Sequence, residues 1–271
     1  MTKKIPLTDL CILLTALAFL LCAALKFYFE KEARESLGGD VAVSRQNQPA
    51  DLRIFTLMSM SARKQSHIKT VETTARAQET EERAESKPLP IRLKVIDRAY
   101  PIYGTLDLKN KVRPLVFASY AMGRLQGAAV SSNLLDRLSL SPGEHFLIGK
   151  TTFLITAVIA GEPDVASYEE DMPTVIISDR AFDVLMKDGM YLEKPVTYEV
   201  RAKLNPKEDP ASWQQSFDSI FAGSGWTAEL WTNRVPSFLL HIKMPFLLVV
   251  SGFLVLLAII RYEMRKRRAD V

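Results

Sequence analysis

Apolar residues are concentrated in two blocks, one near each end of the chain. Residues 10–25 and residues 245–260 contain no formal charge, and further apolar residues extend both blocks. A helix that crosses a bilayer needs about 20 mostly apolar residues. We therefore predict membrane-spanning helices over residues 9–29 and 238–260, with a single domain over residues 30–235 between them.

A cleaved signal peptide is the alternative interpretation of the first block. Lys3 and Lys4 precede it, and residues 22–24 resemble a small-residue cleavage site. However, residues 30–37 continue a helical pattern of charges directly from the apolar block. This continuity favours an uncleaved helix, so we expect the first block to remain as an anchor.

The segment between the two blocks contains short runs in which apolar and polar residues alternate, as is typical of strands. In residues 89–97, for example, Ile91, Leu93 and Val95 are predicted on one face of a strand and Lys94 on the other. Strands are predicted over residues 67–79, 89–97, 145–148, 152–159, 173–178 and 195–204, and helices over residues 51–64, 180–189 and 212–221 and around Leu135. The helices and strands follow no regular βαβ order, so the predicted fold class is α+β.

Three further features of this segment are predicted from residue types. Ser132 or Asn133 is predicted to cap one short helix, and Asp179 another. Trp226 and Trp231 precede the second apolar block and are predicted to lie at a membrane border. The acidic residues within 162–171 lack the spacing of a calcium loop, so we expect a solvated loop there.

Charge predicts the orientation of the chain in the membrane. The net charge is +4, and the basic excess lies in residues 1–8, in residues 261–271 and beside the spans, whereas the middle segment is slightly acidic. Because basic residues favour the cytoplasmic side, both termini are predicted to be cytoplasmic and the domain extracytoplasmic. A basic excess confined to the tails gives no reason to expect nucleic acid binding.

Candidate chemistry is sparse. The sequence Gly149-Lys150-Thr151 lacks the preceding glycine of a phosphate-binding loop and lies between two predicted strands. The three histidines are far apart in sequence, which makes a zinc site improbable. We therefore predict no catalytic, cofactor-binding or metal-binding residues, and no enzyme activity.

The two cysteines lie within the first apolar block. Cys11 and Cys22 are too far apart along a helix to form a disulfide. Cys22 instead forms a small-xxx-small pair with Ala18, which predicts a contact between transmembrane helices.

Four segments carry a resemblance to a known family. The first, residues 39–43, begins with a glycine and is predicted as a short strand. The second, residues 97–104, reads D-x-x-Y-P-I-x-G, and the third, residues 130–144, reads V-S-x-x-L-L-x-x-L-x-L-x-x-G-E. The fourth, residues 148–164, begins with I-G and ends with E-P-D, with Ala157 where glycine is usual. In this order they resemble the first extracytoplasmic segment of FtsX/MacB-like ABC transporter permeases, and most closely the YbbP-type branch. The resemblance covers essentially the whole chain and implies an α+β domain like the MacB periplasmic core.

The resemblance also implies a function. Such permeases are non-ATPase membrane subunits that work with a separate ABC ATPase at the bacterial inner membrane. The substrates expected for this chain are lipid-linked or hydrophobic. The basic residues Arg265, Lys266, Arg267 and Arg268 match the start of the cytoplasmic segment that contacts the ATPase, although a simple positive-inside anchor explains them as well. Further spans are expected from a second membrane subunit, from a homo-oligomer or from a downstream reading frame.

Two other classes of protein stay open at this point. The chain could be a two-span envelope scaffold, or the remnant of a split permease, whose domain binds a partner without coupling to ATP. A membrane-tethered enzyme would require a polar pocket of mutually hydrogen-bonded titratable groups. The neighbouring reading frames would separate the first two possibilities.

Overall fold

The computed structural model describes residues 7–79, 86–109, 121–122, 125–164, 172–236 and 244–269. The chain divides into two compact units, each of which we describe by itself. One unit comprises residues 1–33 and 231–271, and the other comprises residues 34–230.

The terminal unit contains two long apolar helices. Helix α1 spans Leu7–Leu37, helix α6 spans Met244–Ala269, and a short 3-10 helix covers Trp231–Arg234. By length and composition, Leu10–Leu37 and Leu247–Met264 could each cross a membrane. As predicted, the first helix continues unbroken past the apolar block as far as Leu37.

Each of these two helices has a narrow buried stripe. In α1 it includes Ala16 and Ala23, and in α6 it includes Leu247, Ser251 and Ala258. These positions recur at four- and seven-residue spacing, which places them on one face of each helix. Most of the remaining large apolar side chains in both helices are exposed, as expected for surfaces in contact with lipid or with other helices.

The second unit is a mixed domain built around one sheet. Its described elements are β1 Val41–Gln46, α2 Leu52–Ser61, β2 Ala62–Ala77, β3 Leu89–Ile96, β4 Asp107–Leu108, β5 Ala121–Met122, β6 Leu125–Ser131, α3 Ser132–Leu138, β7 His145–Ile148, β8 Thr151–Gly161, β9 Thr174–Ser178, α4 Asp179–Lys187, β10 Thr197–Leu204, α5 Pro210–Ile220 and β11 Thr227–Leu230. These elements form two lobes that share the long strand β2.

The first lobe is a four-stranded antiparallel sheet with two helices. The strand order is β11-β1-β10-β2, and the connections β1-α2-β2 and β10-α5-β11 are those of a split βαβ, or ferredoxin-like, arrangement. Ile54 and Met58 of α2 and Trp213 and Phe217 of α5 form the core with the sheet. Both helices begin at an aspartate, and the side chain of Asp51 accepts hydrogen bonds from two amides of the first turn of α2.

The second lobe is a closed ring of six strands. Strand β2 pairs with β3, and pairing continues through β9, β6, β8 and β7 back to the last residues of β2. Apolar side chains fill the ring, among them Phe146 and Phe153, whose rings are stacked with centroids 5.6 Å apart. Leu134 of α3 and Leu185 of α4 also belong to this core.

Most of the predicted elements are present, and the α+β fold class is confirmed. The predicted hairpin forms with β7 and β8 joined at Gly149-Lys150, and the strand predicted over residues 89–97 is β3. The helix predicted over residues 51–64 was too long, because the chain enters β2 at Ala62.

Several local predictions were wrong. The N-cap of α3 is Ser131 and not Ser132 or Asn133. The N-cap of α4 is Ser178, whose side chain accepts from the Ala181 amide, whereas Asp179 is already inside the helix. Strand β11 was missed. Trp226 is buried in the core of the first lobe instead of lying at a membrane border, and Trp231 is buried as well.

Candidate functional site

Six polar side chains meet on the outer face of strand β3, where they form what we call the ionic cluster. Its members are Lys94, Tyr100, Glu162, Asp164, Glu199 and Arg201. The side chains of Leu93 and Val95 lie in the core of the ring, so that of Lys94 lies on the opposite face of the strand. Strand β10 supplies Glu199 and Arg201, and the segment after β8 supplies Glu162 and Asp164.

Lys94 is the centre of the cluster. Its Nζ donates to Glu162 Oε2 at 2.9 Å and to both carboxylate oxygens of Asp164 at 2.8 Å. The Lys94 side chain is only 5% exposed and that of Asp164 is 0% exposed. Because both side chains are buried, solvent hardly stabilises their charges, and each charge is stabilised by its ionic and hydrogen-bonding partners instead.

Arg201 completes the pairing. Its Nη1 donates to Asp164, while Nε and Nη2 form a two-pronged contact with Glu199 at 2.8 and 3.0 Å. A planar guanidinium suits this geometry, because two parallel N–H groups match two carboxylate oxygens. Two cations therefore face three carboxylates, and the cluster holds one excess negative charge.

Tyr100 closes the cluster from the side. Its hydroxyl donates to Asp164 Oδ1 at 2.6 Å and accepts from Lys94 Nζ at 2.9 Å. Burial, together with the negative charges of Asp164 and Glu162, raises the pKa of the Tyr100 hydroxyl well above its usual value. Burial would also raise the pKa of Asp164, but Lys94 and Arg201 outweigh it and hold this pKa well below the ordinary aspartate value.

A second polar group fixes the last turn of α1 to the domain. Arg34 Nε donates to Asp40 Oδ1 at 2.9 Å, and the Tyr103 hydroxyl donates to the same oxygen at 3.0 Å. The other oxygen of Asp40 accepts from the backbone N–H of Leu204 at 2.9 Å. Asp40 thus connects the end of the helix with strand β10 and with the turn after β3.

Two glycines allow these segments to approach closely. Gly38 ends α1 with a φ of +71°, and a Cβ there would overlap the guanidinium of Arg201. Gly104 also has a φ of +71°, and a Cβ there would overlap Pro163. Larger residues at either position would be strained by the backbone conformation and obstructed by these neighbours.

Asp97 holds the turn that carries Tyr100. Its carboxylate accepts from the Ser66 hydroxyl at 2.8 Å, from the His67 amide at 2.7 Å, and from the amides of Ala99 and Tyr100 at 2.9 and 3.1 Å. A carboxylate with this many donors is fully engaged. The turn is therefore attached to strand β2 at the point where the two lobes join.

The cluster unites segments that are far apart in sequence. Two of the four resemblance-bearing segments meet here: residues 97–104 through Tyr100, and residues 148–164 through Glu162 and Asp164. Residues 39–43 are joined to the same turn, because the Tyr103 hydroxyl donates to Asp40. The sequence had pointed to Tyr100 only as part of a motif. The remaining segment, residues 130–144, instead contributes to the core of the ring through Leu134, Leu138 and Leu140.

The prediction that Glu162 and Asp164 belong to a solvated loop was wrong. Both side chains are at least nine-tenths buried, because Lys94 and Arg201 compensate their charges. The signal that could have located this site is Lys94 itself, a cation in the centre of a strand that is otherwise apolar apart from Arg92. The rest of the predicted loop, residues 165–171, lies outside the described residues.

The other predicted site residues have different positions. Ala18 and Cys22 are exposed on α1, so they make no buried contact within this chain, and their contact with another helix stays a prediction. Helix α6 extends to Ala269, but the side chains of Arg265, Lys266, Arg267 and Arg268 lie outside what the structure describes. Within the described ranges, no group of three or more His, Cys, Asp or Glu residues is placed to hold a metal ion.

Comparison with solved structures finds domains of similar fold. No protein-family model and no curated protein sequence matches the chain. The periplasmic region of MacB from Actinobacillus actinomycetemcomitans is 10% identical, with a TM-score of 0.44 over 74% of this chain and 92% of that region. The extracellular domain of the noncanonic ABC-type transporter YknZ from Gram-positive bacteria is 13% identical, with a TM-score of 0.42 over 70% of this chain and 99% of that domain.

The domain is thus a mixed helix-and-sheet domain that resembles the periplasmic region of MacB. A mixed helix-and-sheet fold is also what the sequence resemblance had indicated. The YbbP-type branch stays a prediction.

Proposed function

We propose that the chain is the permease-type, non-ATPase membrane subunit of an ABC transporter that handles lipid-linked or hydrophobic envelope substrates. The observation that supports this proposal is the link at Asp40, which joins the end of α1 through Arg34 to strand β10 through the backbone of Leu204. The chain itself carries out no chemical step. Its role is to transmit movement between a cytoplasmic ATPase and the extracytoplasmic domain.

The continuity of α1 supports a mechanical role. The helix has no break between Leu7 and Leu37, and Arg34 in its last turn is bound to Asp40. This pair is partly exposed, with 27% of the Arg34 side chain and 12% of the Asp40 side chain accessible, and Asp40 is held further by the Tyr103 hydroxyl and the Leu204 amide. A displacement of the helix end is therefore passed on to strands β10 and β3 instead of being absorbed by loose contacts.

The proposal requires partners within and beside the membrane. In this proposal a second membrane subunit or a homo-oligomer contributes further helices to the pathway, with Ala18 and Cys22 as the proposed helix contact. The basic residues Arg265, Lys266, Arg267 and Arg268 begin the proposed ATPase contact. In this proposed arrangement the two helices cross the bacterial inner membrane and are surrounded by lipid. Both termini lie in the cytoplasm.

Recovery of the partner ATPase tests the proposal. We expect the full chain, purified in mild detergent from its own host, to bring an ABC ATPase with it. Replacement of the four basic residues at 265–268 by glutamine is expected to reduce this recovery strongly, because their positive charges form the contact. A matched variant in which Lys64, Arg76, Lys203 and Lys207 of the domain are changed to glutamine is expected to retain the ATPase.

The opposite result has a defined meaning. If neither an ATPase nor a second membrane subunit is recovered, the transporter assignment fails and the two-span scaffold replaces it. If the ATPase is recovered equally well with both glutamine variants, the proposed contact at residues 265–268 is wrong although the assignment stands.

A further inference from the structure

An open trough lies between strand β2 and the loop that joins α4 to β10. It consists of two cavities of about 410 and 340 Å³, which share Glu72 and Lys194 as lining residues. We call the two together the polar trough. None of its lining residues belongs to the ionic cluster, so it is a separate feature of the domain.

The lining of the polar trough combines hydroxyl groups with charges of both signs. The hydroxyls are those of Thr70, Thr73, Thr74 and Thr197; the cations are Arg92, Lys150 and Lys194; the carboxylates are Glu72 and Glu193. Hydroxyls both donate and accept hydrogen bonds, cations only donate, and carboxylates only accept. A ligand with many hydroxyl groups can satisfy all three kinds.

One aromatic side chain stands at the trough. Tyr191 lines it and is 83% exposed, more than any other large hydrophobic side chain in the described part of the chain. Its neighbours Met190 and Leu192 pack against the core of the ring, and this alternation directs Tyr191 away from the core. A tyrosine in such a position presents an apolar ring face together with a polar tip.

The loop that forms one wall is attached at both ends. Near its start, the Thr151 hydroxyl donates to Asp188 Oδ2 at 2.7 Å. Near its end, the Asn47 amide donates to the carbonyl of Val196 at 2.7 Å, and the Val196 amide donates to Asn47 Oδ1 at 3.1 Å. The trough is therefore formed before any ligand arrives, which reduces the entropic cost of binding.

The lining argues against other ligand classes. A lipid chain would displace water from charged side chains such as Glu193 and Lys194, and the transfer of charged groups out of water is unfavourable. A phosphate would meet Glu72 and Glu193 as well as the cations. A peptide strand could pair with at most the four residues of β2 between Thr70, where pairing with β10 ends, and Ala75, where pairing with β7 begins.

We propose that the polar trough binds a linear oligosaccharide. The ring of Tyr191 stacks against the apolar face of one sugar unit, while the threonines, carboxylates and cations form hydrogen bonds with its hydroxyl groups. This site does not depend on the transporter assignment, because its argument uses only the residues of the trough.

Calorimetric titration of the full chain tests the proposal, in a detergent without a sugar head group. The probes are chitotetraose and cellotetraose. We expect saturable binding of at least one probe by the unmodified chain, and about a tenfold loss of affinity in Tyr191→Ala, because a stacking contact is worth about 1.4 kcal/mol or less. Tyr191→Phe keeps the ring and is expected to keep most of the affinity.

Tyr262→Ala serves as the matched control. Tyr262 is also an exposed tyrosine, but it lies in α6, and its replacement is expected to leave binding unchanged. The proposal is overturned if neither sugar binds at millimolar concentration, if Tyr191→Ala binds as tightly as the unmodified chain, or if tetraalanine binds in a Tyr191-dependent manner and the sugars do not.

Discussion

Asp164 accepts hydrogen bonds from Lys94, Tyr100 and Arg201 and is the most buried charge of the ionic cluster. Neutralising this carboxylate would leave two cations facing fewer negative charges in a site without water. We predict that Asp164→Asn lowers the free energy of unfolding by about 3–5 kcal/mol. Denaturant or thermal unfolding of the full chain in detergent measures the loss.

A matched substitution in an exposed pair provides the control. Asp179 pairs with Lys69 at 2.7 Å, but the Asp179 side chain is 43% exposed. Exposed pairs contribute about 0–1 kcal/mol, so Asp179→Asn is expected to change stability by no more than that. Equal losses in the two variants would show that burial adds nothing to the importance of Asp164.

The stabilising effect of Asp164 depends on pH. Its pKa in the folded protein lies well below the ordinary value, which is about 3.9 in an unfolded chain. A depressed pKa contributes stability that is complete above the unfolded value and is lost as the pH falls towards the folded value. We predict that the stability difference between the unmodified chain and Asp164→Asn is constant near neutral pH and narrows below about pH 4.

Unfolding curves of both proteins between neutral and acidic pH measure this dependence. A difference that stays constant down to the lowest pH at which the chain folds would contradict the assigned pKa direction. A difference that widens in acid would contradict it more strongly, because the carboxylate would then be stabilising only when protonated.

At the scale of single elements, the end of α1 depends on glycine. Gly38 and Gly223 both have φ near +70°, but only at Gly38 would a Cβ overlap another side chain, that of Arg201. The backbone conformation alone costs a non-glycine residue about 1–2 kcal/mol. We predict that Gly38→Ala destabilises the chain more than Gly223→Ala does, because the former also displaces Arg201 from the ionic cluster.

Comparison of the two alanine variants by thermal unfolding isolates the contact from the backbone strain. Equal destabilisation would indicate that Arg201 moves aside without cost. In that case Gly38 would matter only through its backbone conformation, and its close approach to Arg201 would add nothing to stability.

The sequence predicts the elements of this protein better than it predicts their partners. The alternation around Leu93 and Val95 depends on nearest neighbours along the chain, so strand β3 could be predicted. The environment of Lys94 depends on Glu162 and Asp164, which are 68 and 70 residues away, and no local pattern specifies such a pairing. Trp226 was misplaced for a similar reason, because strand β11 next to it is only four residues long.

At the scale of the whole molecule, the closed ring could not be predicted. Periodicity indicates which residues form strands, but closure depends on three residues at the end of β2 pairing with β7. Similarly, the shared use of β2 by both lobes follows from its length of 16 residues, whereas the sequence predicts a shorter strand. The two long apolar helices were predictable because an uncharged apolar block needs no partner to be recognised.

The orientation of the whole chain gives a further prediction. Alkaline phosphatase is active only outside the cytoplasm, so we expect it to be inactive when it is fused at Val271. A fluorescent protein that matures only in the cytoplasm is expected to be active when it is fused at the same position. Insertion of the same reporters after Gly223 in the extracytoplasmic domain is expected to give the reverse result, since basic residues at both tails favour the cytoplasm.

Reporter activities that place Val271 and Gly223 on the same side would contradict this orientation. Mature protein that begins near Leu25 would contradict it as well, because the first helix would then have been removed as a signal peptide.

The central position of β1 in the first lobe has a consequence for biosynthesis. Strand β1 pairs only with β10 and β11, which emerge from the ribosome after the entire segment that forms the ring. Until then both of its edges are open to solvent and to other chains, and long-range pairings of this kind form slowly. During synthesis, strand β1 therefore stays unpaired until β10 and β11 have been made.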